Sequence, residues 1–182
     1  MNPISLQLKR RLWTTWQVVS TPYHRLCGRT IVHLIHPPKT GGTSVKIALM
    51  SFGCKTKTHY FCLHGHEFRL KDVPDGDLAI NIVRNDETRT LSVLAARKWK
   101  AWNYGPIRKW IIGMSKTEEG MLSMGFTPAV HNQEWYREGN NRPPAYTMST
   151  ETLTADFENM KKLFGIPAWV RCGHANKKEI EK

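Results

Sequence analysis

Two rhythms of hydrophobic and polar residues run through this chain. The stretch Ile31-Val32-His33-Leu34-Ile35 is mostly apolar and β-branched, which predicts a buried strand. Leu78 to Val83 (LAINIV) has the same character and is continuous enough to be covered on both faces, as in a parallel sheet. Shorter strands are predicted at 58–63 and 146–148. Between them the spacing turns helical. Val45, Ala48 and Leu49 are the apolar positions of a helix over 43–50, and Leu153, Phe157, Met160 and Phe164 share one face of a helix opened by Ser149–Thr152. Gly165 and Pro167 stop that helix. Asp86 and Glu87 suit the first turn of another, and a further helix is predicted near 106–112. Residues 1–28 predict an extension packed on the domain, with contact of its basic and aromatic residues with a membrane surface or a polyanion as the alternative. Its short amphipathic helix carries Leu6, Leu8, Leu12, Trp13 and Trp16, and a loop follows through Pro22 and Gly28. Strands alternating with helices predict an α/β fold, a central, mostly parallel sheet flanked by helices, with residues 29–182 as a single domain.

Composition narrows the picture only a little. A chain of 182 residues suits one domain with a sizeable core. A formal charge of +12 favours polyanionic partners, among them nucleic acids, acidic glycans, anionic membranes and nucleotide cofactors. The four cysteines have no CxxC spacing, so no structural zinc site is predicted; Cys54 and Cys62 could pair, or all four could be free thiols. No apolar run approaches the ~20 residues that span a bilayer. The expectation is a soluble, cytoplasmic protein.

Candidate chemistry starts where the first strand ends. Pro37-Pro38-Lys39-Thr40-Gly41-Gly42 breaks the strand and forces a tight turn, and the helix over 43–50 follows at once. Strand, glycine turn and helix N-terminus in that order make an anion cradle, because turn amides and the first helical N–H groups converge there. Lys39 adds a cation, and Thr40, Thr43 and Ser44 add hydroxyls. The nucleotide-triphosphatase loop GxxxxGK[ST] does not match, since here the lysine precedes the glycines. Two further strand ends carry polar candidates, His64 with His66, and Arg84. Ligands in parallel sheets bind beyond the carboxyl ends of strands, so the three sets are expected to form one site.

The order PKTGGTS resembles the 5′-phosphosulfate loop of sulfotransferases that use 3′-phosphoadenosine-5′-phosphosulfate (PAPS), especially their carbohydrate branch. The run IVRNDETRTLSVL resembles the 3′-phosphate segment written VRDPxxRxxS in that family, with Arg84, Arg89 and Ser92 matching and Asn85-Asp86 in place of Asp-Pro. LHGHEF is similar to the YHGH segment of uronyl and heparan sulfate 2-O-sulfotransferases. Looser likenesses are Gln133 and Tyr136 to a Q-x-x-Y pattern, Glu151 to Gly165 to a family helix, and His174-Ala175-Asn176-Lys177-Lys178 to an HxNxS loop. The resemblance implies a P-loop-like sulfotransferase fold and sulfuryl transfer from PAPS to an acceptor hydroxyl, expected on an acidic saccharide, with PAP (3′-phosphoadenosine-5′-phosphate) as the product and no metal. It implies that Lys39, Thr40, Gly41, Gly42, Thr43 and Ser44 hold the 5′-phosphosulfate, and that Arg84 and Ser92 hold the 3′-phosphate. Asn176 and Lys177 would close over the phosphates. Lys39 would stabilise the leaving group, and His64 or His66 would be the base, with His66 put first and Glu67 an outside candidate.

Two other classes stay open. An ATP-dependent phosphoryl transferase could use the same cradle with Mg²⁺, but should show a strand ending in Asp for the metal. A non-enzymatic polyanion- or nucleic-acid-binding protein would explain the charge. Nucleic acid is the less expected partner, because the basic residues are spread along the chain and not gathered on one element.

Overall fold

The computed structural model describes residues 16–17, 19–66, 68–85, 88–89, 92, 136 and 142–173. Four strands form one sheet: β1 (Thr30–Ile35), β2 (His59–Leu63), β3 (Leu78–Val83) and β4 (Tyr146–Ser149). Their order is β2-β1-β3-β4, and every pairing is parallel. The predicted helices become α1 (Gly42–Met50) and α2 (Leu153–Phe164). The expected α/β architecture with a parallel sheet is what forms. The helix predicted near 106–112, Glu67, and the candidate ligands Asn176 and Lys177 lie outside the described residues.

Burial follows the hydrophobic pattern closely. Val45, Ala48 and Leu49 of α1 and Leu153, Phe157, Met160 and Phe164 of α2 share a core with Val32, Leu34, Phe61, Ile80, Ile82 and Met148. A smaller core joins Ile35 and Ala79 to Leu70, Val73 and Tyr136. The strands of β1 and β3 are therefore covered on both sides, which is why they are nearly continuous in apolar residues. Helix α2 ends on Gly165 at φ 67°, a left-handed cap that glycine adopts without a Cβ penalty.

Some contacts have no hydrophobic signature. Lys161 is buried, yet its ammonium donates to the carbonyls of Ala168 at 2.9 Å and Val170 at 3.0 Å and pairs with Glu158 at 2.8 Å. It clasps the segment after α2 to the helix. Asp156 accepts from the Ser149 N–H at 2.8 Å and the Thr152 hydroxyl at 2.7 Å, joining the end of β4 to the start of α2.

The N-terminal extension differs from expectation in one respect. The predicted loop from Pro22 is helical as far as residue 26. The reason is tertiary support. Ser20 shares a 2.7 Å hydrogen bond with the Tyr60 hydroxyl, and His24 stacks on the Tyr60 ring with centroids 4.0 Å apart. The segment does pack on the domain, against the edge strand β2. Among the described residues no helix is long and apolar enough to cross a membrane.

All four cysteines are free thiols, so Cys54 and Cys62 do not pair. Burial pushes the Cys54 thiol up to about 12 and the Cys172 thiol up to about 11, and it raises Cys62 as well. Cys27 alone is exposed. Alkylation at pH 8 should therefore modify one thiol per folded chain rapidly, with mass mapping to Cys27. Rapid labelling of Cys54 would contradict this burial.

Candidate active site

The site begins at the carboxyl end of β1. Pro37 to Gly41 forms the turn, with Lys39 at φ 66° and Gly41 at φ 83°. Gly41 is the N-cap of α1, and no acidic side chain stands in the first turn to neutralise the helix dipole. Among the described residues the backbone N–H groups of Gly42 and Thr43 have no backbone acceptor. Those are donors that an anion can satisfy.

Each glycine has a specific reason. A Cβ on Gly42 would lie 2.3 Å from Cγ of His36, whose ring is buried against it. A Cβ on Gly41 would meet Leu153 at 2.9 Å, and its φ is left-handed besides. The turn is braced from outside too. The Thr40 hydroxyl donates to the Pro37 carbonyl at 2.8 Å, and Thr150 at the end of β4 donates to the Thr40 carbonyl at 2.8 Å. Thr40 is fully buried, so its side chain braces the turn while Thr43 is exposed beside it.

Arg84 follows β3 directly and bends over the same turn. Its Nη1 donates to the Lys39 carbonyl at 3.0 Å and its Nε to the Thr88 hydroxyl at 3.2 Å. Asn85 caps the next helical turn, its Oδ1 accepting from the Thr88 N–H at 3.2 Å, and the Arg89 N–H reaches the Asn85 carbonyl at 2.9 Å. Arg89 is buried, and Ser92 is half-buried in a helical turn. In this strand order the chain leaves β1 toward β2 on one side and returns to β3 on the other. The crevice between β1 and β3 is thus the topological switch point, and Lys39 and Arg84 flank it.

His64 and His66 occupy two different environments. His66 is exposed, and its Nδ1 lies 3.1 Å from the His36 carbonyl. A carbonyl only accepts, so Nδ1 carries the proton and Nε2 is the basic nitrogen of the neutral ring. The His66 and His36 rings meet edge to face at 4.6 Å, and His36 lies on Gly42, so His66 stands one ring away from the cradle. The Tyr136 hydroxyl donates to the His66 carbonyl at 2.6 Å and holds the backbone of that turn.

His64 belongs to a buried relay that the sequence did not suggest. Asp77 accepts from His33 Nε2 at 3.0 Å, and His33 Nδ1 accepts from His64 Nε2 at 2.8 Å. His64 also stacks on Phe68 with centroids 3.6 Å apart, and the Lys46 ammonium donates to its carbonyl. Burial, then His33 and Lys46, pulls the His64 imidazole down to about 3, and burial lowers His33 as well. Cys62 Sγ stands within 4.8 Å of ligand nitrogens on both rings. Two nitrogens sharing a zinc ion would stand roughly 3.3 Å apart, so the 2.8 Å spacing is that of a hydrogen bond. His33 and Asp77 were missed because each is far in sequence from His64, and only strand pairing brings them together; His36 and Lys46 border the predicted loop but belong to no motif of their own.

Two predictions follow from these contacts. Gly42→Ala must displace the His36 ring and should lower stability by about 1–3 kcal/mol, read from the urea unfolding midpoint. His33 and His64 are neutral when folded but take up protons on unfolding below their usual value of 6.5. Stability should therefore fall as pH drops from 6.5 toward 3, and His64→Asn should flatten that dependence in urea titrations at pH 7 and pH 5. An unchanged slope would remove His64 as a contributor.

Searches against family models, curated proteins and solved structures found no match to this chain.

Proposed function

We propose that this protein is a PAPS-dependent sulfotransferase with a P-loop-like sulfotransferase fold. The observation that carries the reading is the Arg84–Lys39 contact across the β1/β3 crevice, at 3.0 Å, beside helix N–H groups without a backbone acceptor. It lays the Arg84 guanidinium on the backbone of the turn that carries Lys39. That charge pattern suits a nucleotide carrying phosphates at both 5′ and 3′ positions.

In this reading the Gly42 and Thr43 amides, Lys39, Thr43 and Ser44 hold the 5′-phosphosulfate. Arg84 and Ser92 hold the 3′-phosphate, and Thr40 shapes the turn. The acceptor oxygen attacks sulfur in line, the bond from sulfur to the 5′-phosphate oxygen breaks, and the acceptor proton passes to a base. His66 is the better base, because its Nε2 is basic and its ring is exposed near the cradle. His64, with its imidazole near 3, would be protonated too weakly to drive the transfer. Lys39 offsets charge on the departing phosphate, and PAP leaves. Catalysis is then mainly positioning and electrostatic stabilisation. The acceptor is a hydroxyl, on an acidic saccharide in keeping with the basic surface.

Calorimetric titration of the folded protein with PAP, ADP and ATP tests the reading. PAP should bind at micromolar level and ATP much more weakly. Lys39→Ala and Arg84→Ala should each weaken PAP by about tenfold or more, the loss expected for one charged hydrogen-bonding group. His66→Asn should retain PAP binding and lose sulfate transfer. No PAP binding by the folded wild type would overturn the assignment.

A further inference from the structure

The helical residues 16, 17 and 19–26 are amphipathic in the wrong sense for a helix facing water. Their polar side chains point inward: Gln17, Ser20 and His24 are buried against β2. Gln17 pairs through its amide with the Leu63 backbone, Ser20 with Tyr60, and Thr21 with Cys62. The apolar side chains point outward. Trp16, Val19, Tyr23 and Leu26 are 60%, 66%, 62% and 88% exposed. Their spacing of three, four and three residues makes one continuous stripe along the helix. A surface helix ordinarily buries such a stripe. Here hydrogen bonds and the His24–Tyr60 stack fix the helix with the stripe facing away from the domain.

Charge indicates what covers it. The first 66 residues hold nine Lys or Arg and no Asp or Glu. Arg25 and Lys55 are exposed around the helix, and Arg29 and Lys55 are close enough to His24 to depress its imidazole along with burial. Among the described residues the one carboxylate that meets this group, Asp77, has a buried side chain and is shared by Arg25 and His33. An apolar stripe with a tryptophan and a tyrosine, collared by cations, matches the boundary between lipid headgroups and acyl chains. Nucleic acid would answer the cations but leave Val19 and Leu26 without a use.

We propose that this helix is a docking surface for an anionic lipid bilayer. It lies flat on the membrane with Trp16, Val19, Tyr23 and Leu26 entering the interface, while Arg25, Arg29, Lys55 and Lys57 meet the headgroups. This helix holds the chain on the membrane surface.

Co-sedimentation of the full chain with vesicles tests this. One set is phosphatidylcholine alone, the other phosphatidylcholine with about 30% phosphatidylserine, a content that gives a clear negative surface potential. The wild type should pellet with the second set and much less with the first. Val19→Ser with Leu26→Ser should weaken binding at least tenfold, and Trp16→Gln with Tyr23→Gln should do the same independently. Lys55→Gln with Lys57→Gln should reduce the preference for phosphatidylserine several-fold. Thermal unfolding of all three variants should match the wild type, since these side chains point outward. The proposal is overturned if the wild type stays in solution with both vesicle sets, or if neither apolar pair changes binding. It is equally overturned if the wild type dimerises without vesicles and the apolar pairs abolish the dimer, because the stripe is then a contact between copies.

Discussion

The structure depends on β1 being central. It pairs in parallel with β2 on one side and β3 on the other, so three chain segments must turn at the same edge of the sheet. Parallel pairing allows no short hairpins, and each return takes a longer connection over the sheet. The carboxyl ends of β1, β2 and β3 are thereby forced together. The cradle, the His64–His66 turn and Arg84 are neighbours for that reason and not because of any local attraction.

Within that frame, small residues and buried polar groups do the positioning. His36 fills the space where Gly42 has no Cβ, and the same residue's carbonyl orients His66. Thr40 and Thr150 hold the turn from inside and outside. These contacts are hydrogen bonds and close packing among few atoms, so they specify geometry more than they add stability. The Asp77–His33–His64 relay spans the three neighbouring strands, and burial favours the neutral form of both imidazoles. Two histidines separated by one glycine thus acquire opposite characters, one buried in a relay and one exposed beside the cradle.

The N-terminal helix shows the same economy in reverse. Its polar side is used for attachment to β2, where Ser20 and His24 meet Tyr60. Covering the sheet's outer strand with a helix also blunts an edge that could otherwise pair with another chain. The apolar side is left outward, with Arg25 and Lys55 exposed around it.

Much of the fold was legible along the chain because its signals are local. Apolar runs of strand length, helical spacing at 45, 48 and 49 and at 153, 157, 160 and 164, and the Gly165 stop each act within a few residues, and the observed elements fall there. The cradle was legible for the same reason, since turn, glycines and helix start are contiguous. The helix through Pro22 was not, because hydrogen bonds and stacking from Tyr60 outweigh what the local sequence suggests. Lys161 is buried although a lysine ordinarily faces water, because two carbonyls beyond α2 accept from it. His33 and Asp77 carried no signal, being separated by tens of residues from the groups they touch. The residues themselves determined strands, helices and the glycine turn between β1 and α1. Only the tertiary structure decided which histidine is buried, which is exposed, and which face of the first helix turns outward, because those depend on distant partners meeting in three dimensions.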